Sequence, residues 1–226
     1  MKRIIKSDII PETLQNAPVP TNVKQVDKDI YRADDVCKQL LEDQHYQCAY
    51  CECRITKEYN DVEHYRPKSI YYWLGHNWKN LLYACDFCNR TCKNDLFPLK
   101  DESKRVTVPG NLEEEEPLIL NPTSEDPTAH IRYNRHMLIG ITDQGRTTID
   151  LFKLNQRPVL IHDREQLFEL YHRELSTLKN VRKLLEAPDL PPESRAILVE
   201  ISNLSSASIE QYKSKDTPYS GMLVNQ

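Results

Sequence analysis

No apolar run in this 226-residue chain approaches the roughly 20 residues that a bilayer crossing needs, and the start, MKRIIKSDIIPETL, turns polar too soon for a secretory signal. A cytoplasmic protein is expected. Internal repeats are lacking, and the acidic run Glu113 to Glu116 is the one low-complexity tract. An even set of cysteines is lacking too: there are seven, and six of them, from Cys48 to Cys92, fall within 45 residues. That crowding argues against a disulfide framework spread through the fold and for metal binding in a reducing compartment. Nor is there an excess of positive charge. The net charge of -4 argues against a protein that coats nucleic acid by bulk electrostatics, because non-specific phosphate binding scales with the Lys and Arg contacts made. No helix-turn-helix or other base-reading module is visible.

What is present is a globular composition, 39% apolar and 28% charged, with the apolar residues in bounded clusters. The length predicts one compact unit of two subdomains. Residues 1–30, with Pro11, Pro18 and Pro20, read as an extended arm. Residues 31–100 hold the cysteines and open on a helix that places Val36, Cys37, Leu40 and Leu41 on one face. CNRTCKNDLFP reads as a short helix stopped before Pro98. Residues 101–116 form a charged connector. In residues 117–226, PLILNP reads as a short strand, HIRYN and MLIGIT as a hairpin, and the rest as a helical subdomain. Its last helix opens at Pro191-Pro192 and carries Ile197, Ile201, Leu204 and Ile209.

Two matched C-x-x-C pairs, Cys48–Cys51 and Cys85–Cys88, give the short reach that lets two thiolates share one tetrahedral ion. Four sulfur donors favour zinc, and a closed four-cysteine site is structural. Cys53 could replace Cys51, and Cys92 could replace Cys88, but only the first choice repeats the same spacing.

Between the pairs lie Glu63-His64 and Asn80, and Asn89 follows directly after Cys88. A hard ion such as magnesium takes oxygen ligands, which Glu63 and the Asn89 side-chain carbonyl provide, with water completing the octahedron. His64 is then free as a general base, its ordinary pKa near ~6.5 allowing it to accept a proton from water. On a regular strand Glu63 and His64 point to opposite faces, so the pair is expected where the strand ends or twists. Asn80 is the candidate orienter of the His64 loop or ring. Between His64 and Lys93 the bases Arg66, Lys68, Lys79, Arg90 and Lys93 face a single acid, Asp86, so positive charge is local to the motif. These five are the candidate phosphate contacts. The other six histidines lack such a context and read as structural; Tyr65, Tyr71, Tyr72 and Trp73 read as core in preference to base-stacking groups.

The segments C48-A-Y-C51, V-E63-H64-Y-R-P-K, N-W-K-N80-L-L, C85-D-F-C88-N89 and F97-P98 resemble the HNH endonuclease superfamily, whose active site is a ββα-metal hairpin and helix. Within it the chain is most similar to the HNH nucleases of Septu and retron anti-phage systems, the PtuB-like proteins. LILNP, G145-R-T-T-I-D-L, L154-N155 and Arg164 extend the resemblance over most of residues 1–165. It implies a metal-dependent phosphodiesterase with His64 as general base, Glu63 and Asn89 as ligands of magnesium or manganese, and Asn80 holding the base. The partners it implies are an ATPase of PtuA type and, in retron systems, a reverse transcriptase with its RNA/DNA product. Two positions depart from the pattern. Asn89 stands where many HNH proteins have a second histidine. The usual C-N-x-x-K reads C-N-R-T-C-K here, so the lysine arrives one residue late, at Lys93.

The expected fold is therefore α+β and mostly helical: a ββα-metal site, a four-cysteine zinc centre and a helical C-terminal subdomain. The expected function is a nuclease effector of anti-phage defence, with DNA favoured over RNA as substrate. The competing readings are a stand-alone HNH restriction or homing enzyme, and a zinc-ribbon binding module without catalysis.

Overall fold

Val36, Cys37, Leu40 and Leu41, at three- and four-residue spacing, are all buried, and they make Asp34–Asp43 an amphipathic helix, α3. Before it come two single-turn helices, α1 (Glu12–Gln15) and α2 (Lys28–Tyr31), the second capped by the Asp27 carboxylate on Asp29 N. The computed structural model describes residues 1–58 and 60–224. Met1, Ile4 and Leu14 are buried, so the first residues are part of the core and not a loose tail. The architecture is α+β and mostly helical.

Among the described residues, two antiparallel pairs provide the strands. β1 (Asn60–His64) pairs with β2 (Leu81–Cys85) in a register that sets Glu63 opposite Leu82 and His64 opposite Leu81. β3 (Ile131–Asn134) pairs with β4 (Met137–Gly140), turning at Arg135 with φ 55°. PLILNP, expected as a strand, is not one: it makes only an isolated bridge between Leu99 and Pro117. Its amides are satisfied otherwise, Leu118 N by Pro98 O at 2.9 Å and Leu120 N by the Thr148 hydroxyl at 2.9 Å, so no partner strand is required. Ile119 and Leu120 are fully buried all the same.

α4 (Asp143–Leu151) is capped by Thr142, whose hydroxyl accepts from Gly145 N. α5 (Pro158–Leu185) and α6 (Pro192–Lys213) both begin with proline at the first helical position and pack as a pair. Of Ile197, Ile201, Leu204 and Ile209 on α6, only Ile209 is buried. The first half of α6 therefore shows its apolar residues to solvent. No helix among the described residues is long and apolar enough to cross a membrane.

Candidate functional site

The C-terminus of α3 delivers the first cysteine pair. Gln44 locks it to β2: its Nε2 donates to Tyr83 O (2.7 Å) and Gln47 O (2.9 Å), and its Oε1 accepts from Tyr83 N (2.8 Å). His45 and Tyr46 take positive φ (52° and 56°), turning the chain sharply into Cys48. Cys48 N then donates to Cys53 O (2.9 Å) and Ala49 N to Tyr83 O (3.1 Å), so the knuckle is held against the strand that ends in Cys85. The sulfurs of Cys48, Cys51, Cys85 and Cys88 all lie within 4.8 Å of one another and are buried. Cys51 Sγ is 3.7 Å from Cys85 Sγ. A tetrahedral site with Zn–S near ~2.3 Å has S–S edges of about 3.8 Å, so the four residues fit zinc. Cys53, half-buried, and Cys92, buried, stand outside this group of four.

Arg157, which spacing gave no reason to choose, donates to Cys88 Sγ at 3.3 Å and lies over the Phe87 ring. Burial pulls its guanidinium down, but the surrounding cysteine sulfurs more than reverse this and lift it above its ordinary value. A cation there offsets the charge of the thiolates.

The second cluster is built on the end of β1. His64 is the last residue of the strand, and both it and Glu63 are buried, at 6% and 3% exposure. His64 Nε2 lies 2.9 Å from Gly75 O. A carbonyl only accepts, so Nε2 carries the hydrogen of the neutral ring and Nδ1 keeps the lone pair. A Cβ on Gly75 would lie 2.5 Å from Val26 Cγ1, so glycine lets the preceding arm press against the loop that holds this carbonyl. Burial pushes the imidazole down to about 3, with the Gly75 hydrogen bond opposing the shift. The ring is therefore uncharged at any physiological pH.

Asn80 clasps the loop that follows His64. Its Oδ1 accepts from Arg66 N (2.8 Å), and its Nδ2 donates to Arg66 O (3.0 Å) and Leu74 O (3.3 Å). It thus fixes the backbone two residues from His64 and leaves the imidazole itself to Gly75. Asn89 Nδ2 reaches Val62 O at 3.5 Å, which puts its side chain beside β1 one residue from Glu63.

Cys88 to Lys93 belong to a π-helical turn, Phe87–Lys93, so the short helix expected over CNRTCKNDLFP ends at Lys93, well short of Pro98. Asn94 N donates to Asn89 O at 2.6 Å, the i to i+5 closure of a π-bulge. A bulge absorbs one extra residue, which is what C-N-R-T-C-K contains relative to C-N-x-x-K. The late lysine is thereby turned inward. Lys93 is fully buried; its Nζ pairs with Glu63 Oε1 at 2.5 Å and donates to His64 O at 2.8 Å. Burial raises the Glu63 carboxyl above its ordinary value, and the Lys93 ammonium works against that rise. One carboxylate and one amide oxygen are donors a hard cation accepts. At Glu63 such an ion must share or displace Lys93.

The five bases of the motif part company. Arg66 is paired with the buried Glu115 and lies over the Tyr71 and Phe97 rings. Arg90 bonds Asp61 (3.4 Å) and Asp86 (3.2 Å). Lys93 is sealed on Glu63. Lys79 is exposed. Lys68 Nζ donates to Tyr31 OH at 2.6 Å, and Tyr31 packs edge-on against His64 with centroids 4.7 Å apart. Tyr31 and Gly75 had no sequence signal: one acts through a ring 33 positions away, the other through a backbone carbonyl.

No family model matches the chain. It is 36% identical over 149 residues to the Septu protein PtuB of Bacillus thuringiensis, covering 65% of this chain and 49% of that protein. To the Septu protein PtuA of Bacillus mycoides (strain KBAB4) it is 26% identical over 170 residues, 69% of this chain and 23% of that one. To the Septu protein PtuB of the same Bacillus mycoides strain it is 32% identical over 215 residues, spanning 84% of this chain and 72% of that protein. With identity sustained over most of both chains, this chain belongs to the Septu PtuB family.

Proposed function

We propose that the chain is a metal-dependent HNH endonuclease that hydrolyses phosphodiester bonds, DNA in preference to RNA, as the effector of an anti-phage Septu system with a PtuA-type ATPase partner. The observation that carries this reading is the setting of His64 at the end of β1, directly after the buried Glu63: one ring nitrogen on Gly75 O and the other left with its lone pair. The membership in the PtuB family and the second, weaker match to a PtuA supply the Septu context.

In this mechanism His64 Nδ1 takes a proton from the attacking water, and the Gly75 carbonyl holds the ring and shares the charge that develops. Asn80 keeps the turn from Tyr65 to Arg66 in place, so the ring does not swing away from the strand end. A magnesium or manganese ion held by Glu63 and Asn89 would polarise the phosphate and stabilise the departing oxygen. Lys93, paired with Glu63, favours the ionised form of that carboxylate against its burial.

The test is a gel assay of plasmid DNA and total RNA with magnesium or manganese, with and without the PtuA-type partner, comparing the chain with His64→Ala at normal zinc content. Cutting by the wild type and a loss of about 10²–10⁴-fold in the variant is the expected result. The burial of His64 and the Lys93–Glu63 pair favour a second reading, a zinc-ribbon binding module. Zinc at full content with no cleavage under any of these conditions would select it.

A further inference from the structure

A groove of about 810 Å³ opens between the arm and the loop after β1, lined by Lys24, Lys28, Lys68, Tyr31, Pro18 and Ile30 among others. Its three lysines have no carboxylate within ion-pair distance among the described residues. Asp27, the acid on its wall, turns its side chain to Asp29 N. Lys24 and Lys28 are exposed and come from the arm, outside the motif region that carries the other candidate phosphate contacts. Tyr31 joins the groove to the candidate active site, since the same ring that lines it packs on His64.

The chemistry of this groove is that of a polyanion track. Lys68 spends its hydrogen bond on a neutral phenol at 2.6 Å, with its ammonium also 4.6 Å from the ring centroid. A phosphate oxygen is the stronger acceptor, because hydrogen bonds between ionised partners gain from their opposite charges. Lys24 and Lys28 line the same groove, and neither is ion-paired among the described residues. Pro18 and Ile30 offer apolar surface that sugar and base edges can cover without losing hydrogen bonds.

We propose that this groove holds the phosphodiester backbone of the nucleic-acid strand flanking the cut, with Lys24 and Lys28 as binding residues supplied by the arm. The inference rests on the nuclease reading for its substrate class but is tested through binding alone.

The test measures fluorescence anisotropy of a labelled duplex DNA and a labelled single-stranded RNA with the full zinc-loaded chain in chelator-free buffer lacking magnesium and manganese, from about 50 to about 200 mM salt. Lys24→Ala/Lys28→Ala is compared with Lys38→Ala/Lys100→Ala, two exposed lysines outside the groove. Loss of two phosphate contacts should flatten the log–log salt slope by about 1.8 on duplex and about 1.4 on single strand, with binding at about 50 mM weaker by roughly tenfold per lysine. Lys24→Arg/Lys28→Arg should restore most of it. Equal affinity of the groove variant and the wild type, equal losses in both alanine pairs, or no binding by the wild type would overturn the groove. Binding that depends on Lys24 and Lys28 without any cleavage in the gel assay would leave the groove standing and remove the nuclease.

Discussion

Cys85→Ser is expected to abolish zinc retention and to unfold the centre of the chain. Cys85 is both the last residue of β2 and one of the four clustered sulfurs, so it links the hairpin that carries His64 to the knuckle that follows α3. Structural zinc in small domains contributes apparent binding free energy of about 10–16 kcal/mol at neutral pH, while whole domains are stable by only about 5–15 kcal/mol. The two quantities are of similar size, so loss of zinc through one missing thiolate removes a large share of what holds the domain folded. Metal analysis of the purified variant should find little zinc, and its far-UV circular dichroism should show a broadened, low-temperature melt. Cys53→Ser and Cys92→Ser should retain their zinc, because neither sulfur is in the group of four. Loss of zinc in Cys53→Ser would mean that a different ligand set is in use.

Lys93→Met should destabilise the chain by about 3–5 kcal/mol, because it leaves the Glu63 carboxylate buried without its cation. Changing both partners, Lys93→Met with Glu63→Gln, should recover most of that loss, since the uncompensated charge is gone. The pH dependence has a definite sign. Burial raises the folded-state pKa of Glu63 above its ordinary 4.5, and without Lys93 its main opposing charge is gone. The folded variant then binds more protons than the unfolded chain above pH 4.5, so its stability falls as pH rises through that window. The difference between Lys93→Met and wild type should be largest at neutral pH and shrink as pH falls toward 4.5. Chemical denaturation at several pH values measures it. A difference that is small at neutral pH, or that grows on acidification, would show that the ion pair does not hold this site together.

The four-cysteine frame was legible because repeated C-x-x-C spacing is a local signal with one simple geometric meaning, and the structure brings those four sulfurs together. The α3 helix and the β3–β4 hairpin were legible for the same kind of reason: burial follows a short period in the sequence. PLILNP failed as a strand because its apolar pattern says only that residues are buried. Whether a partner strand exists depends on distant chain, and here Thr148 and Pro98 satisfy its amides instead. Lys93 was misleading for a subtler reason. Counting residues placed it one step late against C-N-x-x-K and made it a candidate phosphate contact, and only the π-bulge, which spacing does not reveal, turns it into the core. The charge count around the motif likewise could not tell Arg66 and Arg90, which have acid partners, from Lys68, which has a phenol.

His64 is expected to accept a proton from water during cleavage. Single-turnover cleavage by His64→Gly, with zinc content and folding checked against wild type, tests it when imidazole is added to the reaction. The variant should lose about 10²–10⁴-fold in rate, and imidazole should restore part of the loss in a concentration-dependent and saturating way, by filling the space left beside Gly75 O. Cleavage by His64→Gly at the wild-type rate without imidazole would contradict the claim.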